Sequence, residues 1–152
     1  MSDKRVIDNF RDEYRFLSNF YIYPLEYKGL TYHSAEAAFQ AQKCATEDEK
    51  VKYTLVEHPV AVKVMGKKEA GFPANWDEIS PDIMKDILKA KFAVPELKEK
   101  LLATGDAELI EGNRWHDNRW GNCKCERCTK KEGLNLLGKI LMEIRNEMKE
   151  EQ

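Results

Sequence analysis

Five stretches of this chain carry the signals of an α-helix, and together they account for about two fifths of its length. Residues 134–149 place five apolar side chains on a single helical face. The other four stretches begin near Ser34, Pro59, Ser80 and Pro95, where a hydroxyl cap or a proline suits the first turn of a helix. The predicted helices run from Ser34 to about Cys44, Val60 to about Lys68, Ser80 through Phe92, Pro95 to Gly105 and Leu134 to about Lys149.

The first third of the chain instead favours β-structure. Aromatic and β-branched residues flank Lys28-Gly29, which predicts a short hairpin formed by residues 20–25 and 26–32. A chain of 152 residues is long enough for one domain with its own core. We therefore predict an α+β fold, with residues 1–152 forming a single compact domain of about five helices around a small sheet.

Composition narrows the classes of function. A hydrophobic fraction of 42% and a charged fraction of 34% are typical of a soluble protein, and the net charge of −2 provides no general attraction to nucleic acid or to an anionic membrane. No apolar run approaches the ~20 residues that span a bilayer. The start, Met-Ser-Asp-Lys-Arg, lacks the apolar core of a signal peptide. We expect a cytoplasmic protein with no membrane partner and no obligate protein partner.

The first predicted helix carries three polar residues on one face. Glu36, Gln40 and Lys43 lie at offsets of 0, 4 and 7 residues, so a carboxylate, an amide and an amine can bind one polar ligand. The alternative is a solvent-exposed face with a weak Glu36–Lys43 attraction that stabilises the fold by about 0.3 kcal/mol. The nearby His33 and the preceding aromatic residues favour a site.

A second cluster lies in residues 113–120, a stretch without clear helical or strand periodicity. Trp115 and Trp120 can stack on a base, Arg119 can bind a phosphate, and Asp117 can exchange a proton. The alternative places both indoles in the core and uses Asp117 to cap a turn. Asn19, which lies among aromatic residues, can likewise bind a ligand or complete a turn.

The four cysteines do not form the pattern of a disulfide framework, because three of them lie within six residues and the fourth is Cys44. Cys123, Cys125 and Cys128 provide three soft ligands for a structural zinc ion, with Cys44, His33 or His116 as the fourth. The alternative is a set of reduced thiols that pack a tight loop.

Six sequence segments occur in order over nearly the whole chain: FLSNFY at 16–21, HSAEAAFQAQK at 33–43, Asn75-Trp76, KAKF at 89–92, NRWHDNRWGNCKC at 113–125 and GLNLLGKILMEIR at 133–145. Together they resemble the NADAR family of YbiA-like proteins. That resemblance implies an α+β N-glycosidase, a hydrolase that acts on ribosyl–nitrogen bonds and requires no cofactor. One branch of the family acts on ribosylamino-pyrimidine phosphate intermediates of riboflavin biosynthesis, and another removes ADP-ribose from guanine bases in nucleic acid. The slight preference here is for the guanine branch, an ADP-ribosyl-guanine glycohydrolase.

The resemblance also assigns roles to residues. It carries the family's helix acid to Glu36, its tryptophan to Trp76, its loop acid to Asp117 and the lysine of FQAQK to Lys43. Our hypothesis gives Glu36, Asp117 and Lys43 the catalytic roles. The predicted substrate-binding residues are Asn19, Phe20, Gln40, Trp76, Trp115, Arg119 and Trp120.

Two routes of catalysis follow from these roles. In direct hydrolysis, Glu36 acts at the sugar or on the attacking water, and Asp117 hydrogen-bonds the leaving group or the ribose. In the second route, Lys43 forms a Schiff base with a ring-opened sugar, which requires an uncharged amine. The rival classes are a non-catalytic module that binds ADP-ribose or a nucleotide, and an adaptor built on the cysteine loop.

Overall fold

The structure, a computed structural model, describes residues 5–151. Within that range it contains six α-helices, one 3-10 helix and three two-stranded sheets, which confirms the α+β class. In chain order the elements are β1 (Val6–Ile7), the 3-10 helix (Asp12–Leu17), β2 (Ile22–Tyr27), β3 (Leu30–Ser34), α1 (Ala35–Ala41), α2 (Glu47–Thr54), α3 (Pro59–Lys67), α4 (Trp76–Phe92), α5 (Pro95–Ala103), β4 (Glu108–Leu109), β5 (Gly112–Asn113), β6 (Asn122–Cys123) and α6 (Leu136–Glu150).

The described residues form two compact units. Residues 19–94 make up one unit, and the residues before 19 together with those after 94 make up the other. The prediction of a single domain over 1–152 stays a prediction. Among residues 5–151 no helix is both long and apolar enough to cross a bilayer.

The predicted hairpin is present in the 19–94 unit. Strands β2 and β3 pair antiparallel, with Tyr27 opposite Leu30. Lys28 and Gly29 both have positive φ, 49° and 88°, as the tight turn between twisted strands requires. Tyr27 donates a hydrogen bond to Asp86 of α4 at 2.8 Å, which ties the hairpin to that helix.

Helix α1 is central to this unit, because it contacts α2, α3, α4 and both strands of the hairpin. Its predicted cap is confirmed: Ser34 Oγ accepts from the Ala37 N–H at 3.1 Å. All seven residues of α1 are buried, including Glu36 and Gln40. The α-helix ends at Ala41, and backbone hydrogen bonds between residues three apart continue the turn to Cys44. Burial of the whole helix therefore holds its polar side chains inside the unit.

Two helices differ from the sequence prediction. Helix α2 was not predicted, because only Tyr53 of its eight residues is buried and no apolar stripe marks it. Helix α4 begins at Trp76, whereas Ser80-Pro81 suggested a start four residues later. Ser80 is buried inside the helix and Pro81 lies in its interior. A serine followed by proline imitates a helix start, so this sequence signal was misleading.

The other unit is built on α6, which packs on α5 and β4. The predicted stripe is confirmed, since Leu137, Ile140, Leu141, Ile144 and Met148 are all buried. Arg145 lies on the same buried side, where it donates to Thr104 Oγ1 at 2.9 Å and to the Ala107 carbonyl at 2.8 Å. Strands β1 and β4, and β5 and β6, form two parallel ladders of two residues each. These ladders position the long segment before α6.

Candidate functional site

The buried face of α1 is the first part of the candidate site. Glu36 and Gln40 are 7% and 6% exposed, and Gln40 Nε2 donates to Glu36 Oε1 at 2.8 Å. The Gln40 side chain lies directly against Gly66 of α3, where a Cβ atom would overlap the amide. The face is thus not a solvated surface. The pair is held in place by backbone from a second helix.

Lys43 lies at the end of this face. Its Nζ donates to the Gly66 carbonyl at 3.4 Å and lies 5.9 Å from the centre of the Trp76 ring. Burial lowers the pKa of Lys43, whereas the nearby Glu36 and Glu69 carboxylates act to raise it. Because the net effect lowers the pKa of Lys43, its amine is neutral more often than the amine of an exposed lysine.

Trp76 and Phe39 form an aromatic pair beside these polar groups. Their ring centroids are 5.2 Å apart and the planes are tilted by 45°. Trp76 is the first residue of α4 and is 9% exposed. Because Phe39 covers part of the indole and Lys43 lies over its ring, Trp76 forms a wall of the site rather than an exposed platform.

Asn19 joins the start of α1 to α4. Its carbonyl accepts from the Glu36 N–H at 3.0 Å, and its Nδ2 contacts Met84 Sδ at 3.5 Å. The buried Oδ1 of Asn19 accepts no hydrogen bond from the described part of the chain. Phe20, next in sequence, is half-buried with Lys63 Nζ 5.8 Å from its ring centre. Asn19 therefore presents a buried acceptor close to the backbone of Glu36.

Lys91 is a buried lysine of the 19–94 unit to which the sequence analysis gave no role. It is 3% exposed, and its Nζ lies 5.7 Å from the Tyr21 ring centre and 5.1 Å from that of Phe92. Burial lowers the pKa of Lys91 to about 7. It follows Met84 by seven residues, so it lies on the same face of α4. A lysine within the apolar stripe of a predicted helix was the available signal.

The segment from Asn113 to Asn135, named here the cysteine loop, holds the second group of predicted residues. Asp117 Oδ1 accepts from the N–H groups of Arg119 at 3.1 Å and Trp120 at 2.9 Å, so this carboxylate caps a turn. Trp115 is 50% exposed, which rules out a core role for that indole. The Arg119 guanidinium lies 5.6 Å from the Trp120 ring centre. Trp115 is thus exposed to solvent and Arg119 is partly exposed.

Backbone hydrogen bonds join the cysteine loop to α6. The N–H groups of residues 134–137 donate to the carbonyls of residues 118–121, at 2.7 to 3.2 Å. Asn135 is the N-cap residue of α6 and has a φ of 50°. Its Nδ2 donates to the Leu109 carbonyl, and its Oδ1 accepts from the Glu111 N–H. The helix consequently begins at Leu136, two residues later than predicted. The loop supplies the partners for the first N–H groups of α6.

The three clustered cysteines converge on His116. Its Nδ1 lies 3.3 Å from Cys125 Sγ, 3.4 Å from Cys128 Sγ and 3.9 Å from Cys123 Sγ. Among the described residues, these four ligand atoms all lie within 4.8 Å of one another. Three residues were suggested as the fourth ligand, and His116 is the one that lies beside the sulfurs.

Cys44, in contrast, lies in the 19–94 unit. Its Sγ is 3.6 Å from Glu69 Oε1, and burial together with Glu69 raises the pKa of this thiol to about 11. Cys44 and Glu69 also approach Glu49, but Lys52 occupies the Glu69 carboxylate at 2.9 Å. Cys44 is a buried neutral thiol.

The predicted site residues therefore fall in two groups. The 19–94 unit contains Asn19, Phe20, Glu36, Gln40, Lys43 and Trp76, of which Asn19, Glu36, Gln40, Lys43 and Trp76 are linked by direct contacts of side chain or backbone. The cysteine loop contains Trp115, Asp117, Arg119 and Trp120.

Comparison with known proteins gives a consistent class for such a fold and site. The family model of the NADAR domain matches residues 7–149. The chain is 33% identical over 139 residues to N-glycosidase YbiA of Escherichia coli, covering 90% of this chain and 83% of that protein. It is 31% identical over 141 residues to a riboflavin biosynthesis protein of Vibrio vulnificus, covering 91% of this chain and 37% of the longer protein.

The fold agrees as well. The NMR structure of Escherichia coli YbiA superposes with a TM-score of 0.81 at 32% identity, over 99% of this chain and 89% of that one. The chain belongs to the NADAR family.

Proposed function

We propose that this chain is an N-glycosidase that hydrolyses a ribosyl–nitrogen bond, with Glu36 as the carboxylate that acts at the sugar. Membership of the NADAR family and the likeness to a protein named N-glycosidase support the class of enzyme. One observation carries the assignment of the site: a buried glutamate is held by Gln40 at 2.8 Å, next to Lys43 and Trp76. Glutamate is almost never fully buried unless it is paired, and a buried acid beside other polar groups is a candidate for catalysis.

The chemistry requires what this face of α1 supplies. Cleavage of the bond builds positive charge on the anomeric carbon, and a carboxylate close to the sugar stabilises it or takes a proton from the attacking water. Gln40 donates to one oxygen of Glu36, and the absence of a Cβ at Gly66 leaves room for the Gln40 amide. Preorganisation of this kind lowers the reorganisation needed when charge develops.

Within the 19–94 unit, binding groups lie close to this carboxylate. The buried Asn19 Oδ1 is an acceptor suited to a sugar hydroxyl or a base amino group. Trp76 gives an apolar wall, and Lys43 offers a cation or amine next to it. Asp117, from the resemblance, is the proposed second acid and hydrogen-bonds the ribose or the departing base.

Two substrates fit this proposal, and each is favoured by a different observation. The cysteine loop between residues 113 and 133 has six basic and three acidic side chains, in a chain whose net charge is −2. With the exposed Trp115, such a surface suits the phosphates and bases of ADP-ribosylated nucleic acid. The relative of Vibrio vulnificus, named a riboflavin biosynthesis protein, favours a small ribosylamino-pyrimidine phosphate instead.

Incubation of the protein with each substrate tests the proposal. Guanine-ADP-ribosylated DNA and a ribosylamino-pyrimidine phosphate are offered separately, and the products are followed by mass spectrometry. We expect either ADP-ribose with DNA that carries unmodified guanine, or ribose phosphate with the free aminopyrimidine, in equal amounts. Turnover of the DNA should fall steeply with added salt. If neither substrate is cleaved but ADP-ribose binds, the rival binding-module reading replaces the enzyme.

Lys43 provides a covalent route for a sugar attached through an exocyclic amine. The sugar ring opens to an imine, and the neutral Lys43 amine adds to its carbon and expels the base as a free amine. Water then hydrolyses the lysine imine to the sugar aldehyde and regenerates Lys43. Burial, which lowers the pKa of Lys43, favours the neutral amine that this route needs.

Borohydride added during turnover should reduce this imine to a stable secondary amine. Peptide mapping is expected to find the sugar on Lys43, and a Lys43→Met variant should lose the adduct. Lys52→Met, which changes an exposed lysine of the same unit, is the control and should keep it. An active enzyme that gives no adduct, or one on another lysine such as Lys91, would remove Lys43 from the covalent route.

A further inference from the structure

The geometry around His116 matches a metal-binding site. Tetrahedral zinc with bonds of ~2.3 Å to sulfur and ~2.0 Å to nitrogen places these ligand atoms about 3.6 Å apart. The three distances from His116 Nδ1 to the sulfurs are 3.3, 3.4 and 3.9 Å. Three sulfurs and one imidazole nitrogen, all within 4.8 Å of one another, form a closed set of four ligands with no position left for substrate.

The local backbone holds the ligands in this arrangement. His116 has a φ of 68°, in the left-handed region that a residue with Cβ seldom adopts. Its N–H donates to Cys123 Sγ at 3.3 Å, and the Cys125 N–H approaches the same sulfur at 3.5 Å. Asn118 Oδ1 accepts from the Cys123 N–H at 2.9 Å. Backbone donors that point at a sulfur stabilise a thiolate, which is the form that binds metal.

We propose that His116 Nδ1 and the thiolates of Cys123, Cys125 and Cys128 bind one zinc ion in a closed structural site. The ion takes no part in cleaving the ribosyl bond, and the proposal holds whether or not the proposed enzyme function does. Three thiolates and a divalent ion carry a net charge of −1, which the basic residues of the cysteine loop balance.

Arg127 responds to metal binding. It donates to His116 Nε2 at 3.0 Å, and this requires the ring hydrogen to be on Nδ1. Zinc on Nδ1 moves that hydrogen to Nε2, so Arg127 turns away. Both side chains are exposed, so this change costs little free energy. Arg127 is a neighbour of the site and not one of its ligands.

The zinc ion joins the two ends of a segment that carries predicted ligand contacts. His116 lies between Trp115 and Asp117, whereas Cys123 to Cys128 follow Trp120. A bond from His116 to the cysteines therefore closes a short ring around Asp117, Arg119 and Trp120. Closing the ring restricts the conformations of these side chains before substrate arrives.

Elemental analysis of untagged protein, purified with reductant and without added metal, tests the site. We expect one zinc ion per chain in the wild type and after Cys44→Ser or Arg127→Met. Cys123→Ser, Cys128→Ser and His116→Ala should lose it. His116→Cys should regain it as a site of four sulfurs. Cobalt in the wild type should show thiolate-to-metal absorption that shifts when His116→Cys adds the fourth sulfur.

A second measurement covers ligand variants that do not fold. A Trp76→Phe background leaves Trp115 and Trp120 as the only tryptophans, so fluorescence reports the cysteine loop. Chelation is expected to change that fluorescence and to lower the melting temperature, and zinc should restore both. Wild-type protein that holds no zinc as purified and gives no cobalt spectrum on titration would overturn the proposal. Full zinc retention in Cys128→Ser or His116→Ala would overturn the assigned ligand set.

Discussion

Replacing Glu36 by glutamine should lower kcat on the cleaved substrate by about 10²–10⁴-fold, the range for loss of one acid–base or charge-stabilising group. Glutamine keeps the shape of the side chain and can still accept from Gln40, which lies at 2.8 Å in the wild type. Only the charge is removed. Since this charge acts in the transition state more than in binding, KM should change far less than kcat.

Glu57→Gln is the matched control for this experiment. Glu57 is an exposed glutamate of the same unit, so its variant should retain the wild-type rate. Initial rates and melting temperatures are measured for both proteins. A folded Glu36→Gln variant with near-normal kcat would show that Glu36 has no catalytic role, even if the wild type cleaves the bond.

Replacing Lys91 by methionine should make the protein more stable. Lys91 is 3% exposed, and burial lowers its pKa from the ordinary value of 10.5 to about 7. Removal of a buried ammonium group should raise the free energy of unfolding by a few kcal/mol at pH 7, roughly 3.

The pH dependence of this effect has a definite sign. Between about pH 7 and 10.5 the unfolded chain keeps the proton on Lys91 and the folded chain has lost it. Stability of the wild type therefore rises with pH through this interval, because the unfolded state binds more protons. Below pH 7 both states are protonated and the full destabilisation by the buried charge is present. The advantage of Lys91→Met should thus be largest below pH 7 and vanish near pH 10.5.

Lys89→Met provides the control, since Lys89 is an exposed residue of the same helix. Its stability should change by less than about 0.5 kcal/mol. Denaturant unfolding across this pH range measures both variants. A Lys91→Met protein that is less stable than the wild type at pH 6 would contradict the description of Lys91 as a costly buried charge.

Much of the fold could be predicted from local pattern. The hairpin turn at Lys28-Gly29 and the apolar stripe of α6 are confirmed because each depends on backbone or periodicity near in sequence. Helix α2 escaped because it is polar, although Thr46 is followed by Glu49 and its Oγ1 accepts from the Glu49 N–H at 3.3 Å. That capping pattern was readable in the sequence. The ladder between β1 and β4 depends on pairing across more than a hundred residues, which no local signal records.

The candidate site divides in the same way. The common face of Glu36, Gln40 and Lys43 follows from the helical repeat, but their burial follows from the helices that pack around α1. Asp117 shows the limit: the sequence left open whether it binds a ligand or caps a turn, and its Oδ1 does accept turn N–H groups. The joining of His116 to the three cysteines depends on a loop conformation with positive φ, which spacing alone does not specify.

The bonds between residues 134–137 and the carbonyls of 118–121 mean that the positive end of the α6 dipole already has backbone partners. A phosphate that meets the cysteine loop is consequently bound by arginine and lysine side chains and not by a helix terminus. Opening of the loop and fraying of the first turn of α6 become one event with one free energy. Hydrogen exchange at four consecutive amides near the start of that helix would therefore read out the rigidity of the ligand-contacting segment.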